Sequence, residues 1–168
     1  MTRGSLRRKD RALGKEEMEG VLNSCLVGRV ATVGSDGMPY ITPLNFVYDA
    51  GTQRICFHHS TEPGHLLENL AHSDRVCFEV DEPGAVFASG DYACNTGQAY
   101  RSVVCFGKMV FIEDVREKKD ILALLAKKYI DDLTPDRTYK HGWEQLAVTA
   151  VLAMDIEMMT GKFCKAPE

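Results

Sequence analysis

Three runs of strand-forming residues separated by two tight turn signals constrain this chain more than anything else in it. Residues 26–33 (LVGRVATV), 39–49 (PYITPLNFVYD) and 54–59 (RICFHH) are rich in β-branched and aromatic side chains. Gly34-Ser35-Asp36-Gly37 and Asp49-Ala50-Gly51-Thr52 fall between them. Strands joined by such short turns pair antiparallel, so the segment predicts a three-stranded meander. Further strands are predicted at 75–80 (RVCFEV), at 99–114 with a bend at Gly107, and at 146–159. The Gly-rich, polar stretch 81–97 reads as a long loop with room for a short strand. Residues 15–25 place Met18, Val21, Leu22 and Cys25 on one helical face, and 117–129 does the same with Ile121, Leu124 and Leu125. A short helix follows Pro63 over 65–72, and a polar connector occupies 131–141. About six strands and a few short helices predict a mainly β fold, a β-barrel with helices packed on its outside.

The chain has 168 residues, enough for one domain with a real core. A basic, partly flexible tail is expected over 1–14, where Arg3, Arg7, Arg8 and Lys9 gather, and a single domain over 15–168. No apolar stretch approaches the roughly 18 residues of a membrane span, and no apolar segment follows the basic N-terminus, so a cytoplasmic location with no membrane partner is expected. A net charge of −4 opposes nucleic-acid binding. The six cysteines show no CxxC pair, and Cys56, Cys77 and Cys105 lie in apolar runs, which predicts buried, reduced thiols. Trp143 is expected to fill a gap in the core or an interface.

No GxGxxG, Walker A or GxSxG motif is present. His58 and His59 are adjacent on one strand and must point to opposite faces, so they cannot share a metal, and no metal site is expected. The informative junction is FHHS-TEPG followed by a helix beginning near His65. A helix N-terminus exposes unpaired N–H groups at a positive end, a seat for phosphate. Ser60 and Thr61 add hydroxyls, Gly64 permits close backbone approach, and His65 can add charge. The alternative is that Ser60 or Thr61 simply caps the helix. Elsewhere Arg29 has an ion-pair reading with a carboxylate such as Glu79, and Asn45 a reading as a satisfied polar group on a barrel strand.

The segments VGRVATVGSDGMPYITPLNFVYD, ICFHHSTEPGHLLENL, DRVCFEVDEPG, AYRSVVCFGKMVFIED and MTGK resemble the flavin-nucleotide-binding branch of the pyridoxamine 5′-phosphate oxidase-like superfamily. Within it they most resemble the group containing nitroimidazole-resistance proteins, in one register from about Arg8 to Lys162. The resemblance implies an FMN-binding split barrel and a cytoplasmic homodimer holding two FMN molecules at its interface. It places the ring and ribityl chain along Arg29, Val30, Ala31 and Thr32 and along Pro43, Leu44 and Asn45. The phosphate falls near His58, His59, Ser60, Gly64 and His65, and Tyr100, Arg101, Ser102 and Val103 come from the partner subunit. Two departures stand out. His65 follows Gly64 where many relatives have Lys, and the chain ends MMTGKFCKAPE where true pyridoxamine phosphate oxidases carry an Arg-containing substrate motif. The activity implied is an FMN-dependent oxidoreductase passing electrons from NAD(P)H to a small acceptor such as a nitroaromatic or quinone. His58 or His59 is then the polar group nearest the acceptor. A flavin-storage or sensing module and a haem-binding relative ligating iron through His58 or His59 are the alternatives.

Overall fold

The computed structural model describes residues 5–88, 92–130 and 146–167. The connector 131–141 and Trp143 lie outside the described residues. Helix α1 spans Lys15–Ser24, and three strands follow as the meander: β1 (Val27–Val33), β2 (Pro39–Asp49) and β3 (Arg54–Ser60). Helix α2 (His65–His72) leads to β4 (Arg75–Ala88), β5 (Thr96–Phe111), helix α3 (Val115–Tyr129) and β6 (Thr149–Cys164). The strands close into a ring in the order β1-β2-β3-β6-β5-β4, with every pairing antiparallel.

Strands β4 and β6 run furthest past their sequence-predicted ends. The stretch 81–97, expected as a loop, is mostly a hairpin arm in which β4 runs on to Ala88 against β5. Its Pro and Gly mark an irregularity between Pro83 and Val86, where Gly84 brings its backbone so close to Ala99 that a Cβ would lie 3.1 Å from the Ala99 carbonyl oxygen. Strand β6 begins later and ends later than expected, continuing through the MTGK segment to Cys164. Helix α3 starts at Val115 because the Asp114 carboxylate accepts the Glu117 N–H at 2.8 Å, an N-cap. The N-terminal segment docks on β6: the Leu13 N–H donates to the Gly161 carbonyl at 3.0 Å and its side chain is buried.

Alternation along each strand sorts side chains into two packing layers. Inside the ring, Val30, Phe46, Ile55, Phe57, Phe78, Val103 and Leu152 are fully buried, and Phe46 and Phe57 both meet Phe78 edge-on. Outside, α3 lays Ile121, Leu122 and Leu125 over Cys56, Val151 and Ala153. At the C-terminal end of α3 the Lys128 ammonium donates to the Leu22 carbonyl at 3.1 Å and sits 3.6 Å from the Phe46 ring centre, tying α3 to α1. No helix of the described residues is long and apolar enough to cross a membrane.

All six cysteines are free. Burial pushes the Cys56 and Cys105 thiols up to about 12, and half-burial brings the Lys128 amine down to about 8. The signs oppose one another. A thiol with a raised folded value stabilises the fold below its unfolded value near 9 and loses that contribution as pH rises toward 12. The depressed lysine costs stability at neutral pH, and that cost is relieved between about 8 and 10.5. Cys56 and Cys105 are 2% and 0% exposed whereas Lys128 is half-buried and solvent-screened, so the thiols win. Denaturant unfolding should show stability falling by roughly a few kcal/mol between pH 9 and 12. Cys56→Ala should flatten that decline, and an unchanged slope in this variant would remove the thiol as its cause.

Candidate functional site

Strand β2 outruns β3. Their ladder covers only Phe46–Asp49 against residues 54–57, while β3 itself continues to Ser60 paired with β6. Residues 39–45 therefore pair only with β1, and the wall splits between the start of β2 and the end of β3. Helix α2 bridges the split. The His65 ring lies 4.4 Å from that of Tyr40, and the buried Asn69 amide donates to the Thr32 hydroxyl at 2.9 Å.

The turn from Ser60 to His65 borders this opening. Gly64 is the N-cap of α2, and among the described residues no side chain caps the helix. Ser60 Oγ instead accepts the Glu62 N–H at 3.0 Å, and the Thr61 N–H donates to the Val148 carbonyl at 3.2 Å. The first-turn N–H groups of α2 are thus left without a side-chain acceptor. Gly64 has extended backbone, with nothing within 4 Å of the position a Cβ would take. Ser60 and His65 are both exposed. The two neighbouring histidines diverge as adjacent strand residues must. His58 is exposed on the same side of β3 as Cys56, whereas His59 is half-buried on the side of Phe57, with Nδ1 2.8 Å from the Ser60 carbonyl oxygen.

On β1, Val30 and Thr32 point inward, so only their main chain is available to a ligand on the outer face. Arg29 and Ala31 point outward, beside Pro43 and Ile41 of β2. The Arg29 Nη1 donates to Glu79 Oε2 at 2.9 Å and Asp81 Oδ1 at 2.8 Å, realising the carboxylate pairing. These partners raise the guanidinium above its ordinary value. Leu44 is half-buried against the core, and Asn45 is exposed. The main chain next to Asn45 is clamped by Tyr129, whose hydroxyl accepts the Phe46 N–H at 2.8 Å and donates to the Leu26 carbonyl. On β5, Tyr100 and Ser102 share the outer face. Arg101 pairs with Glu82 at 2.6 Å, and Val103 is fully buried in the core.

Three residues that sequence reasoning passed over belong to this region. Tyr40 supports His65. Glu79 and Asp81 engage Arg29 together, although only Glu79 was foreseen. Thr42 has a buried hydroxyl with no partner among the described residues. Its signal was available: Thr42 interrupts the inward-facing series Leu44, Phe46, Tyr48 with a polar group.

The outer face of the ring carries an apolar row in lateral register. Ile41, Ala31, Cys77, Phe106 and Met158 stand side by side across five strands. Ile41 is 58% exposed.

Residues 14–163 match the family model described as pyridoxamine 5′-phosphate oxidase. No curated protein matches the chain. Among solved structures, the flavocytochrome Anf3 from Azotobacter vinelandii superposes with a TM-score of 0.86 at 22% identity, covering 99% of this chain and 76% of that one. The FAD- and haem-binding protein from Mycobacterium smegmatis gives 0.78 at 26% identity, covering 91% and 72%. A candidate 5-nitroimidazole antibiotic resistance protein from Bacteroides thetaiotaomicron gives 0.77 at 24% identity, covering 90% and 86%.

Proposed function

The chain belongs to the pyridoxamine 5′-phosphate oxidase family, and from that premise we propose that it is an FMN-dependent oxidoreductase that reduces a small planar acceptor. The observation that carries the reading is the uncapped N-terminus of α2 at the split in the wall, with clear space over Gly64. Such an end attracts a phosphate through its free N–H groups and its dipole. Ser60 and His65, both exposed, flank it. The residues present therefore fit a flavin nucleotide whose phosphate is held at this turn and whose ring extends over Arg29, Ala31 and Pro43. The bound flavin supplies the electron transfer, from a nicotinamide donor to an acceptor of the nitroaromatic or quinone class.

The protein's part is to bind, orient and exclude water. Ser60, the α2 N–H groups and His65 fix the phosphate, while Tyr40 holds the His65 ring in place. His58, exposed at the end of β3, is the histidine free to give a proton to a reduced acceptor; the His59 ring is engaged with the Ser60 carbonyl. Covering the outer face falls to a second copy of the chain, because the row from Ile41 to Met158 is too apolar to leave in water. In the homodimer Tyr100 and Ser102 of the partner reach the cofactor by side chain, and Arg101 and Val103 by main chain only.

The purified protein should show flavin absorption bands and release FMN on denaturation. Haem bands would instead favour iron ligation by a histidine. Once photoreduced, the flavin should be reoxidised by a nitroaromatic or quinone faster than by dissolved oxygen in stopped flow. His58→Ala should slow that step about tenfold or more. If no acceptor outruns oxygen, storage or sensing replaces catalysis, and a His58→Ala trace that overlays wild type removes the proton-donor role.

Sedimentation velocity should report a dimer at micromolar concentration. Ile41→Asp, placing a carboxylate in the apolar row, should shift it toward monomer and weaken FMN binding in parallel. A dimer unaffected by this change would place the interface elsewhere.

A further inference from the structure

We propose that Glu79 and Asp81 act with Arg29 as a recognition point for the planar imide edge of the flavin ring, the ring N–H that lies between two carbonyls. The inference rests on the ring lying over Arg29, as proposed above. Arg29 and Glu79 face one another across the β1/β4 ladder, and Asp81 follows two residues along the same outer face. A single nitrogen, Nη1, serves both carboxylates, at 2.9 and 2.8 Å. Nε and Nη2 of Arg29 therefore keep donor capacity, and each carboxylate keeps a second oxygen. The side chains are 47%, 32% and 38% exposed, so this capacity is turned toward whatever covers the face.

Stability does not account for the arrangement. A partly exposed ion pair contributes about 0–1 kcal/mol, and a second carboxylate on the same guanidinium adds repulsion between the two acids. Nor does the group suit an anion. One guanidinium against two carboxylates leaves a net negative site, which repels a phosphate or an anionic acceptor. A neutral planar group that offers an N–H beside a carbonyl fits both halves: its N–H donates to a carboxylate and its oxygen accepts from the guanidinium. The imide edge of the ring has this pattern. The division of labour along the nucleotide then follows from charge, with the anionic phosphate at the uncapped α2 end and the neutral imide at the acidic end.

The test compares FMN with N3-methyl-FMN, in which the imide N–H is replaced by a methyl group, by flavin fluorescence titration. Wild type should bind the methylated flavin at least about tenfold more weakly. In Glu79→Ala/Asp81→Ala the preference should shrink to within about twofold, with circular dichroism confirming the fold. Equal affinity of wild type for the two flavins overturns the proposal, and so does full discrimination by the double variant. Should the double variant not fold, the wild-type comparison decides by itself. Binding of neither flavin by wild type overturns the flavin reading itself, and the inference with it.

Discussion

Gly64→Glu should abolish FMN binding while leaving the barrel folded. The position is open, with extended backbone that any residue adopts and nothing within 4 Å of a Cβ, so the substitution meets no steric obstacle. What it introduces is a carboxylate at the N-cap of α2, beside N–H groups that no side chain now satisfies. That carboxylate can fold back as a cap and occupy the donors, and its charge repels a phosphate arriving at the same place. Losing two charge-assisted hydrogen bonds and adding like-charge repulsion predicts a drop in affinity of at least about 100-fold. Thermal stability should hold or rise slightly, since a helix gains an acidic cap. Gly64→Ala is the control: it adds bulk without charge and should stay within about threefold of wild type. Titration of both variants by flavin fluorescence, with melting curves alongside, separates the possibilities. Near-normal affinity in Gly64→Glu would move the phosphate away from this turn.

The sequence was most legible where one local signal decided the outcome. Alternating strands and Gly/Asp turns dictate the meander, and helical spacing picks out the packed faces at Val21 and Leu22 and at Ile121 and Leu125, although Leu124, expected on the same face, is exposed and Leu122 packs in its place. The boundary errors came from residues with two readings. Pro83 and Gly84 usually break a strand, yet here they bend one, because the long arm of β4 against β5 is held by pairing on both sides of the irregularity. No local propensity carries that information; it depends on a partner strand a dozen or so residues away. The same holds for the docked N-terminal segment, where Leu13 is buried only because β6 passes beside it.

At the site, what chain direction alone dictates was visible and what neighbours dictate was not. Opposite faces for His58 and His59 follow from strand geometry, but which ring is exposed depends on the packing of α3 over Cys56 and of the core around Phe57. Whether Ser60 or Thr61 would cap α2 was undecided in sequence. The Ser60 hydroxyl is diverted to the Glu62 N–H, and the Thr61 main chain is tied to the Val148 carbonyl, 87 positions later in the chain. Tyr40 gave little sign of itself, since it becomes informative only when β2 parts from β3 and α2 crosses the gap.

The ring also has to close through the β5/β6 ladder, and the sharpest test of that closure is Gly107. The β5/β6 ladder shifts register between Phe106 and Gly107: Phe106 pairs with Met158 but Gly107 with Ile156, so Glu157 is the extra residue of a bulge. The bulge drives the Asp155 carbonyl toward Gly107, and a Cβ there would lie 2.0 Å from that oxygen. The obstacle is backbone, so no rotamer change relieves it. Accommodating a side chain means pulling β5 from β6 along the ladder that unites the arm with the core strands. Gly107→Val should therefore cost at least about 4 kcal/mol, a large part of the 5–15 kcal/mol by which domains are typically stable. Gly107→Ala should cost nearly as much, because the Cβ itself is what collides. Gly20 in α1 supplies the contrast, with nothing within 4 Å of its Cβ position. Gly20→Ala should gain about 0.5–1 kcal/mol from helix propensity alone. Urea unfolding of the two alanine variants gives the decisive comparison. Equal midpoints for Gly107→Ala and wild type would mean that the bulge yields easily and that the Asp155 carbonyl is not a fixed obstacle.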